Sequence, residues 1–196
     1  DLSIGKSIRE KSQKIIISFV ARFSYQKDHD TLFKALSLLE QDQLNNLSIN
    51  LIGDGDLYDE FVQKSINMNL KNSLNFIGET ENVGKYLNNS DLFMLISNYE
   101  GLPVSIIEAL SVGLPIIASD VGGINELVKD QVNGFLVPKN NELKLAGVLK
   151  DIIINKSINL KNMGEESRLL YNHKFKKEIM KNKTKELISK LIQKNK

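Results

Sequence analysis

Short apolar runs alternate with helical segments along this 196-residue chain, and this alternation restricts the fold more strongly than any other feature. Runs rich in β-branched or aromatic residues, bounded by Gly or polar residues, are typical of buried strands. The predicted strands are residues 15–21, 47–52, 74–78, 91–97, 115–119 and 134–137. Strands that alternate with helices predict an α/β fold with an open, mostly parallel sheet and helices on both faces.

The segments between these strands carry apolar residues at helical spacing. Leu32, Ala35 and Leu36, for example, lie on one face of a predicted helix over residues 30–39. Pro103 suits the first turn of another helix, where the N–H that proline lacks has no partner, and Gly113 closes that helix. The other predicted helices are residues 57–70, 83–89, 122–128 and 141–154, and then the last helices after an interruption at Gly164.

The composition is that of an ordinary globular chain, with 41% hydrophobic and 26% charged residues. The absence of Cys excludes disulfides and thiolate metal sites, and two separated His residues argue against a His-rich zinc site. This residue usage fits a reducing cytoplasm. The apolar runs fall short of the roughly 20 residues that a membrane span requires, so any membrane contact is expected to be peripheral.

Basic residues are concentrated in the lysine-rich segment 174–196, although the net charge is only +2. Phe175, Ile179 and Leu187 recur there at helical spacing. Three interpretations of this tail stay open: a helix docked on its own domain with a solvated Lys face, a helix that crosses to a partner domain, and a helix on an anionic membrane surface. No nucleic-acid partner is expected.

Two carboxylates stand eight residues apart in the segment EGLPVSIIEALSVGLPIIASDVGGINE, which covers residues 100–126. Glu100 lies in the loop before the Pro103 helix, and Glu108 lies on that helix. This spacing suits a polar ligand across the helix N-terminus, where free N–H groups and the helix dipole favour a phosphate. Spacing alone leaves the alternative of two solvated surface carboxylates equally open.

Several candidate residues share a position directly after a predicted strand. They are Arg22, Gly53, Thr80 and Glu100. Ligands bind at the carboxyl ends of the strands in open α/β sheets, so we expect one cleft to collect these residues.

The 100–126 segment, together with FVARFSYQKDHD at residues 19–30, closely resembles the donor-binding half of retaining glycosyltransferases of family 4, the glycosyl transferases group 1. The likeness is strong over residues 14–138 and looser over the tail. It implies one Rossmann-like half of a two-domain GT-B fold. Residues 1–13 would be the remnant of an interdomain linker, 14–160 the nucleotide-sugar-binding domain, and 161–196 the C-terminal helices with the basic tail.

The resemblance assigns roles to charged residues by their positions. Arg22 and Lys27 would neutralise the diphosphate of a nucleoside diphosphate sugar, a leaving group that gains negative charge as the glycosidic bond breaks. Asp28 stands where relatives often have Gly, so the loop at Lys27 is expected to have its own shape. Glu100 would contact hydroxyls of the donor sugar, and Glu108 would hold the ribose hydroxyls.

The remaining donor contacts implied by the resemblance come from loops and backbone. They are Gly53, Thr80, Asn82, Gly101, Leu102 and the N–H groups at the start of the Pro103 helix. Gly101 and Leu102 would supply backbone contacts to the sugar, while Gly53 lets the backbone approach the ligand closely. Thr80 and Asn82 are candidates for the edge of the nucleobase, although an ordinary surface loop is the simpler interpretation of either side chain.

Asp54 and Asp56 spell D-x-D, the metal-binding signature of the other large glycosyltransferase architecture. They follow a strand inside a repeating β-α pattern, and the resemblance accounts for the glycine-rich turn around them, so we discount a metal site. An EF-hand interpretation fails because Ser65 stands where the bidentate Glu is required. No metal or other cofactor is expected.

The predicted function is transfer of a sugar from a UDP-linked donor to a lipid-linked or polysaccharide acceptor in surface polysaccharide biosynthesis, at the inner face of the membrane. A missing N-terminal acceptor-binding domain would be the partner, and the chain by itself would be inactive or would slowly hydrolyse the donor. Two alternatives stay open: a non-catalytic nucleotide-sugar-binding module, and a sugar-nucleotide epimerase that resembles GT-B proteins.

Overall fold

The computed structural model describes residues 14–155 and 157–194, so the predicted linker remnant at residues 1–13 lies outside the described residues. Its strands are β1 (Ile15–Val20), β2 (Leu47–Ile52), β3 (Leu74–Gly78), β4 (Leu92–Leu95), β5 (Ile116–Ser119) and β6 (Gly134–Val137). They form one parallel sheet in the order β3-β2-β1-β4-β5-β6. The prediction of an open, parallel α/β sheet is therefore confirmed.

Helices connect the strands and pack around the sheet. They are α1 (His29–Ser37), α2 (Gln41–Asn45), α3 (Tyr58–Asn67), α4 (Val83–Asn88), α5 (Val104–Ser111), α6 (Glu142–Ile154), α7 (Leu160–Leu170) and α8 (Lys177–Lys194). A 3₁₀ helix covers Gly122–Glu126, and a π-helical turn covers Tyr171–Phe175. Helix α1 packs against α6, and α5 packs against α7.

The central strands are apolar because both faces of the sheet are covered. All four residues of β4, Leu-Phe-Met-Leu, are buried, and so are all four of β5, Ile-Ile-Ala-Ser. Parallel strands covered by helices on two sides show such continuous apolar runs instead of alternation. One hydrophobic core therefore extends through the sheet into the inner faces of the helices, where Leu32, Ile106 and Leu149 are fully buried.

Two local predictions were wrong, and one short helix was missed. Gly164 lies buried inside α7 instead of interrupting the last helices. A Cβ at Gly164 would lie 2.3 Å from the carbonyl oxygen of Gly113, so the missing side chain allows α7 to cross the end of α5 closely. The predicted helix over 122–128 is a short 3₁₀ helix that ends at Glu126, and the five-residue α2 was not predicted. The proposed domain limit at residue 160 stays a prediction.

Candidate functional site

The strand order reverses between β1 and β4, because the chain runs outward from β1 to β3 and then returns to the other side of β1. At such a switch point the loops after the two neighbouring strands diverge and leave a crevice at their carboxyl ends. The loop after β1 contains Arg22 and Lys27, and the loop after β4 contains Glu100. The fold thus places these three side chains along one edge of the sheet.

A cleft of about 710 Å³ opens beside this point, between the loops that follow β1, β2 and β3. Arg22, Gly53 and Thr80 all line it, so the structure brings together three of the four residues predicted from strand ends. Glu100, the fourth, lies in the neighbouring loop after β4. Asn82 precedes α4 outside the cleft lining, and its backbone N–H donates to Oγ1 of Thr80 at 3.1 Å.

Glycines allow the loops after β1 and β2 to touch backbone to backbone. Gly53 and Gly55 have φ values of +137° and +150°, and Cβ atoms there would lie 2.2 Å from the oxygen of Ala21 and 2.4 Å from that of Phe23. In addition, the N–H of Phe23 donates to the carbonyl of Asp54 at 2.9 Å. The glycine-rich turn therefore forms the floor of the cleft and holds Arg22 beside it.

Arg22 is the cation of this cleft, and it faces acidic neighbours. Its Nη2 lies 3.5 Å from Oδ1 of Asp56, and both side chains are mostly exposed. Asp54 and Glu79 also line the cleft. An exposed pair at this distance adds little to stability. The guanidinium is therefore available to an incoming anion, which would have to compete with Asp56 for it.

Lys27 and Glu100 form a second, largely buried ion pair in which the ammonium group donates to Oε1 of the carboxylate. The hydroxyl of Ser97 donates to the same oxygen at 2.7 Å. The N–H of Ser97 is in turn held by Oγ of Ser119, at 2.9 Å, on the neighbouring strand β5. Because both donors reach Oε1, the second carboxylate oxygen of Glu100 stays available to another donor.

The loop that carries Lys27 has a defined shape of its own. Asp28 caps α1, since its carboxylate accepts from the N–H of Thr31 at 3.1 Å and from its hydroxyl at 2.6 Å. Nδ1 of His29 donates to the carbonyl of Lys27 at 2.6 Å, and the ring stacks on Phe23. Burial lowers the pKa of His29 to about 4, so the ring is neutral near pH 7.

The loop after β5 packs against the main chain of Glu100 and Gly101. Gly122 has a φ of +54°, and a Cβ there would lie 1.8 Å from the carbonyl oxygen of Glu100. Gly123 donates its N–H to the carbonyl of Gly101 at 3.1 Å. Only residues without a side chain allow this close approach. The two glycines therefore let the loop after β5 pack directly against the main chain of Glu100 and Gly101.

Residues 101–103 lead from Glu100 into α5. Pro103 occupies the position just before the first helical residue, one place earlier than predicted. The side chain of Leu102 is exposed, and a Cβ on Gly101 would meet no atom within 4 Å. Both residues are therefore open to solvent, although the carbonyl of Gly101 already accepts from Gly123.

Glu108 lies on α5 but is not part of the cleft that contains Arg22. It lines a groove of about 470 Å³ between α5, the π-helical turn and α8, together with Phe175 and Met180. Burial in this groove raises the pKa of its carboxyl group. The structure thus places Glu108 one helical turn into α5 and beneath the C-terminal helix, apart from the cleft of Arg22, and its predicted role with ribose stays a prediction.

Within residues 14–155 and 157–194, no group of three or more His, Asp or Glu side chains is arranged so that it could hold a metal ion. None of the helices in this described part of the chain has both the length and the apolar character needed to span a bilayer.

Sequence reasoning missed the polar residues that hold Lys27 and Glu100 in place. Gln26, Ser97, Asn98 and Ser119 all donate or accept hydrogen bonds around the pair. Their signal in the sequence is weak: each is a polar residue within a few positions of a strand end. The bonds of Gln26, Asn98 and Ser119 join segments that are far apart in the chain, so those partners cannot be identified from the sequence.

The fold is the Rossmann-like fold of GT-B glycosyltransferases. The structure of the Anabaena protein HepE in complex with UDP matches it with a TM-score of 0.82 at 22% identity, over 91% of this chain and 49% of that protein. The chain belongs to the family of glycosyl transferases group 1, whose model matches residues 3–170.

Curated relatives include two bacterial glycosyltransferases. One is the UDP-Gal:α-D-GlcNAc-diphosphoundecaprenol α-1,3-galactosyltransferase of Escherichia coli, 29% identical over 173 residues, which are 87% of this chain and 45% of that protein. The other is the amylovoran biosynthesis glycosyltransferase AmsK of Erwinia amylovora, 32% identical over 145 residues, which are 70% of this chain and 35% of that protein. The chain thus spans less than half the length of these relatives.

Proposed function

We propose that this chain is the donor-binding domain of a retaining glycosyltransferase that moves a sugar from a UDP sugar to a lipid-linked or polysaccharide acceptor. The observation that supports this most directly is that Arg22 and the Lys27–Glu100 pair lie in the loops that follow β1 and β4, the two strands at the switch point of the sheet. Two cations at one sheet edge suit a diphosphate. The E. coli relative is named for a UDP-galactose donor, and HepE was solved with UDP, which favours uridine as the base.

In this proposal the residues act by binding and charge stabilisation. As the bond between the sugar and the diphosphate breaks, the leaving oxygen gains negative charge, and Arg22 and Lys27 stabilise it. Glu100 accepts hydrogen bonds from sugar hydroxyls through its available oxygen. The acceptor hydroxyl attacks the same face of the sugar and passes its proton to the leaving phosphate, so no nucleophilic side chain is needed.

The other predicted contacts complete the donor site. The uracil ring would lie against the loop of Thr80 and Asn82, and Gly53 would let the cleft floor approach the diphosphate. The backbone of Gly101 and Leu102 would contact the sugar, and the N–H groups at the start of the Pro103 helix would face the diphosphate. Glu108 would bind the ribose, and no metal would be required.

The acceptor would be bound by a separate N-terminal domain, with the reaction at the cytoplasmic face of a membrane.

Lys27 must exchange partners when the donor binds, because Glu100 holds its ammonium group when no donor is bound. A diphosphate carries more negative charge than one carboxylate, so it can displace Glu100 from Lys27. That exchange would leave Glu100 free to bind the sugar.

The test is a calorimetric titration of the 196-residue chain with UDP, GDP, ADP and their glucose conjugates, with and without Mg²⁺. We expect metal-independent binding of the uridine series, lost in Arg22→Ala. Arg168→Ala, which removes an Arg from α7 away from the cleft, is the matched control and should bind normally. Equal binding by Arg22→Ala, or no binding of any nucleotide at millimolar concentration, would reject the donor site in this chain.

A further inference from the structure

Asn98 joins the loop after β4 to the loop after β1. Its backbone N–H donates to the carbonyl of Gln26 at 2.8 Å, and its side-chain Nδ2 donates to the carbonyl of Tyr25 at 2.7 Å. The residue is only 7% exposed. Buried amides that bond to main-chain carbonyls fix the partner segment in place, because leaving either group unpaired is costly.

Gln26 makes the reverse connection. Its Nε2 donates to the carbonyl of Tyr99 at 3.1 Å. Residues 25–26 of one loop and 98–99 of the other are therefore joined by three hydrogen bonds. Lys27 is the next residue in the first loop, and Glu100 is the next in the second. The hydrogen bonds thus end directly beside the two residues that form the ion pair.

The main chain at Lys27 is held from its other side as well. Its carbonyl accepts from Nδ1 of His29, while its side chain reaches Glu100. Glu100 is held by Ser97. The position of the Lys27 ammonium group relative to the carboxylate is consequently set by main-chain anchors on both loops, none of which is part of the ion pair.

We propose that Asn98 and Gln26 are positioning residues for donor binding: they hold Lys27 and Glu100 at a fixed separation before the donor arrives. This inference rests on the proposed function. Neither residue needs to touch the ligand. Their contribution is that the two loops are already ordered when the diphosphate displaces Glu100 from Lys27, so that less ordering accompanies binding.

The first test needs no ligand. In Asn98→Ala we expect amide hydrogen exchange at Lys27 and at residue 98 to be about tenfold faster, because the variant loses the hydrogen bond from the side chain of Asn98 to the carbonyl of Tyr25. Asn133→Ala is the matched control, because its buried Nδ2 donates to the carbonyl of Leu127 at 2.9 Å just before β6, at the opposite edge of the sheet. Unchanged exchange at Lys27 in Asn98→Ala would overturn the inference.

The second test is a double-mutant cycle on the affinity for UDP-glucose. We expect Asn98→Ala to weaken binding about tenfold in the unaltered chain, but less than about twofold in a Lys27→Met background, since its effect passes through Lys27. Additive effects would mean that Asn98 affects binding independently of Lys27, and they would overturn the inference. Asn133→Ala should leave the affinity unchanged in both backgrounds.

Gln26→Met provides a milder variant, which keeps the length of this partly exposed side chain and removes its donor. We expect it to weaken UDP-glucose binding and to speed exchange at Lys27, with Gln63→Met on the exposed face of α3 as its control. If the unaltered chain binds no uridine nucleotide, the proposed function fails. The exchange experiment still decides, in that case, whether Asn98 and Gln26 hold the Lys27 loop.

Discussion

Lys27 and Glu100 form an ion pair across the switch point of the sheet, although 73 positions separate them in the chain. Their side chains are only 16% and 5% exposed. A buried ion pair must recover the cost of removing two charges from water, and here the hydroxyl of Ser97 adds a hydrogen bond to the carboxylate. The pair therefore contributes to the structure of the protein when no nucleotide sugar is bound. Its two members are also the residues that we expect to contact the nucleotide sugar.

Lys27→Met should destabilise the protein because it leaves the Glu100 carboxylate buried without its cation. We expect a loss of about 3 kcal/mol in the free energy of unfolding near pH 7, measured by chemical denaturation. The double variant Lys27→Met/Glu100→Gln should recover most of this loss, since it has no unpaired buried charge. If the double variant lost as much free energy of unfolding as the two single variants together, the two charges would act independently.

Gly122→Ala should be strongly destabilising, by about 3 kcal/mol or more, because a Cβ combines an unfavourable positive φ with a clash against the carbonyl of Glu100. Gly147→Ala is the matched control. A Cβ at Gly147, in the middle of α6, meets nothing within 4 Å, so alanine should stabilise the helix by about 0.5–1 kcal/mol. Thermal denaturation compares the two, and equal stabilities would contradict the tight contact beneath Glu100.

His29 should make the protein less stable in mild acid. Its pKa falls from 6.5 to about 4 on folding because burial disfavours the charged ring. Between these values the unfolded chain binds the extra proton, so stability is complete above pH 6.5 and is lost as the pH falls towards 4, by about 3 kcal/mol.

The variant His29→Phe keeps the stacking on Phe23 but cannot be protonated. The carbonyl of Lys27 keeps a donor in this variant, because the backbone N–H of residue 29 also bonds to it, at 2.7 Å. Urea denaturation at several pH values should show a flatter stability profile between pH 6.5 and pH 4 in the variant than in the unaltered chain. Parallel profiles would remove His29 as the source of the acid sensitivity.

Strand positions were predictable wherever the apolar run met a glycine or polar boundary. β2, β3 and β6 begin and end at the predicted residues, because Gly53 and Gly78 follow or close two of these runs and Gly134 opens the third. Gly164 shows the limit of this rule. A glycine can end a helix or allow close packing between helices, and only the position of Gly113 in space distinguishes the two.

The residues of the site that directly follow strands were predictable from the sequence, but the residues that hold them in place were not. Arg22 and Thr80 follow strands, so parallel topology places them together. The bonds of Asn98 and Gln26 cross between distant segments and depend on loop shape, which local patterns do not specify. The burial of Glu108 depends on where α8 packs, and an amphipathic lysine-rich helix can pack in several ways.

Glu108→Ala should weaken the binding of UDP if the carboxylate holds the ribose. The sharper measurement compares UDP with 2′-deoxy-UDP: the unaltered chain should prefer UDP, and the variant should show little preference. The preference should be lost as the pH falls and the carboxylate is protonated. Because burial raises the pKa of Glu108, we expect this loss to begin at a higher pH than it would for an exposed Glu. Thr184→Ala, which alters the α8 side of the same groove, is the control. An unchanged preference in Glu108→Ala would reject the ribose role.

Asp56→Asn should tighten the binding of UDP several-fold without a change in stability. The carboxylate is exposed and lies 3.5 Å from Arg22, so it contributes little to folding but competes with a diphosphate for the guanidinium. The gain should shrink as salt is added, because exposed charges are screened. Asp42→Asn on α2, remote from the cleft, makes the same charge change and should leave the affinity unaltered.

The same variant decides between two roles for the Asp54–Asp56 pair. If these carboxylates held a divalent cation with the nucleotide, Asp56→Asn would weaken binding, and the loss would appear only when Mg²⁺ is present. If Asp56 only competes for Arg22, the variant binds UDP more tightly with or without Mg²⁺. Calorimetric titration under both conditions separates the outcomes. Weaker binding that depends on Mg²⁺ would contradict a metal-free donor site and would show that Asp56 is a ligand of the metal ion.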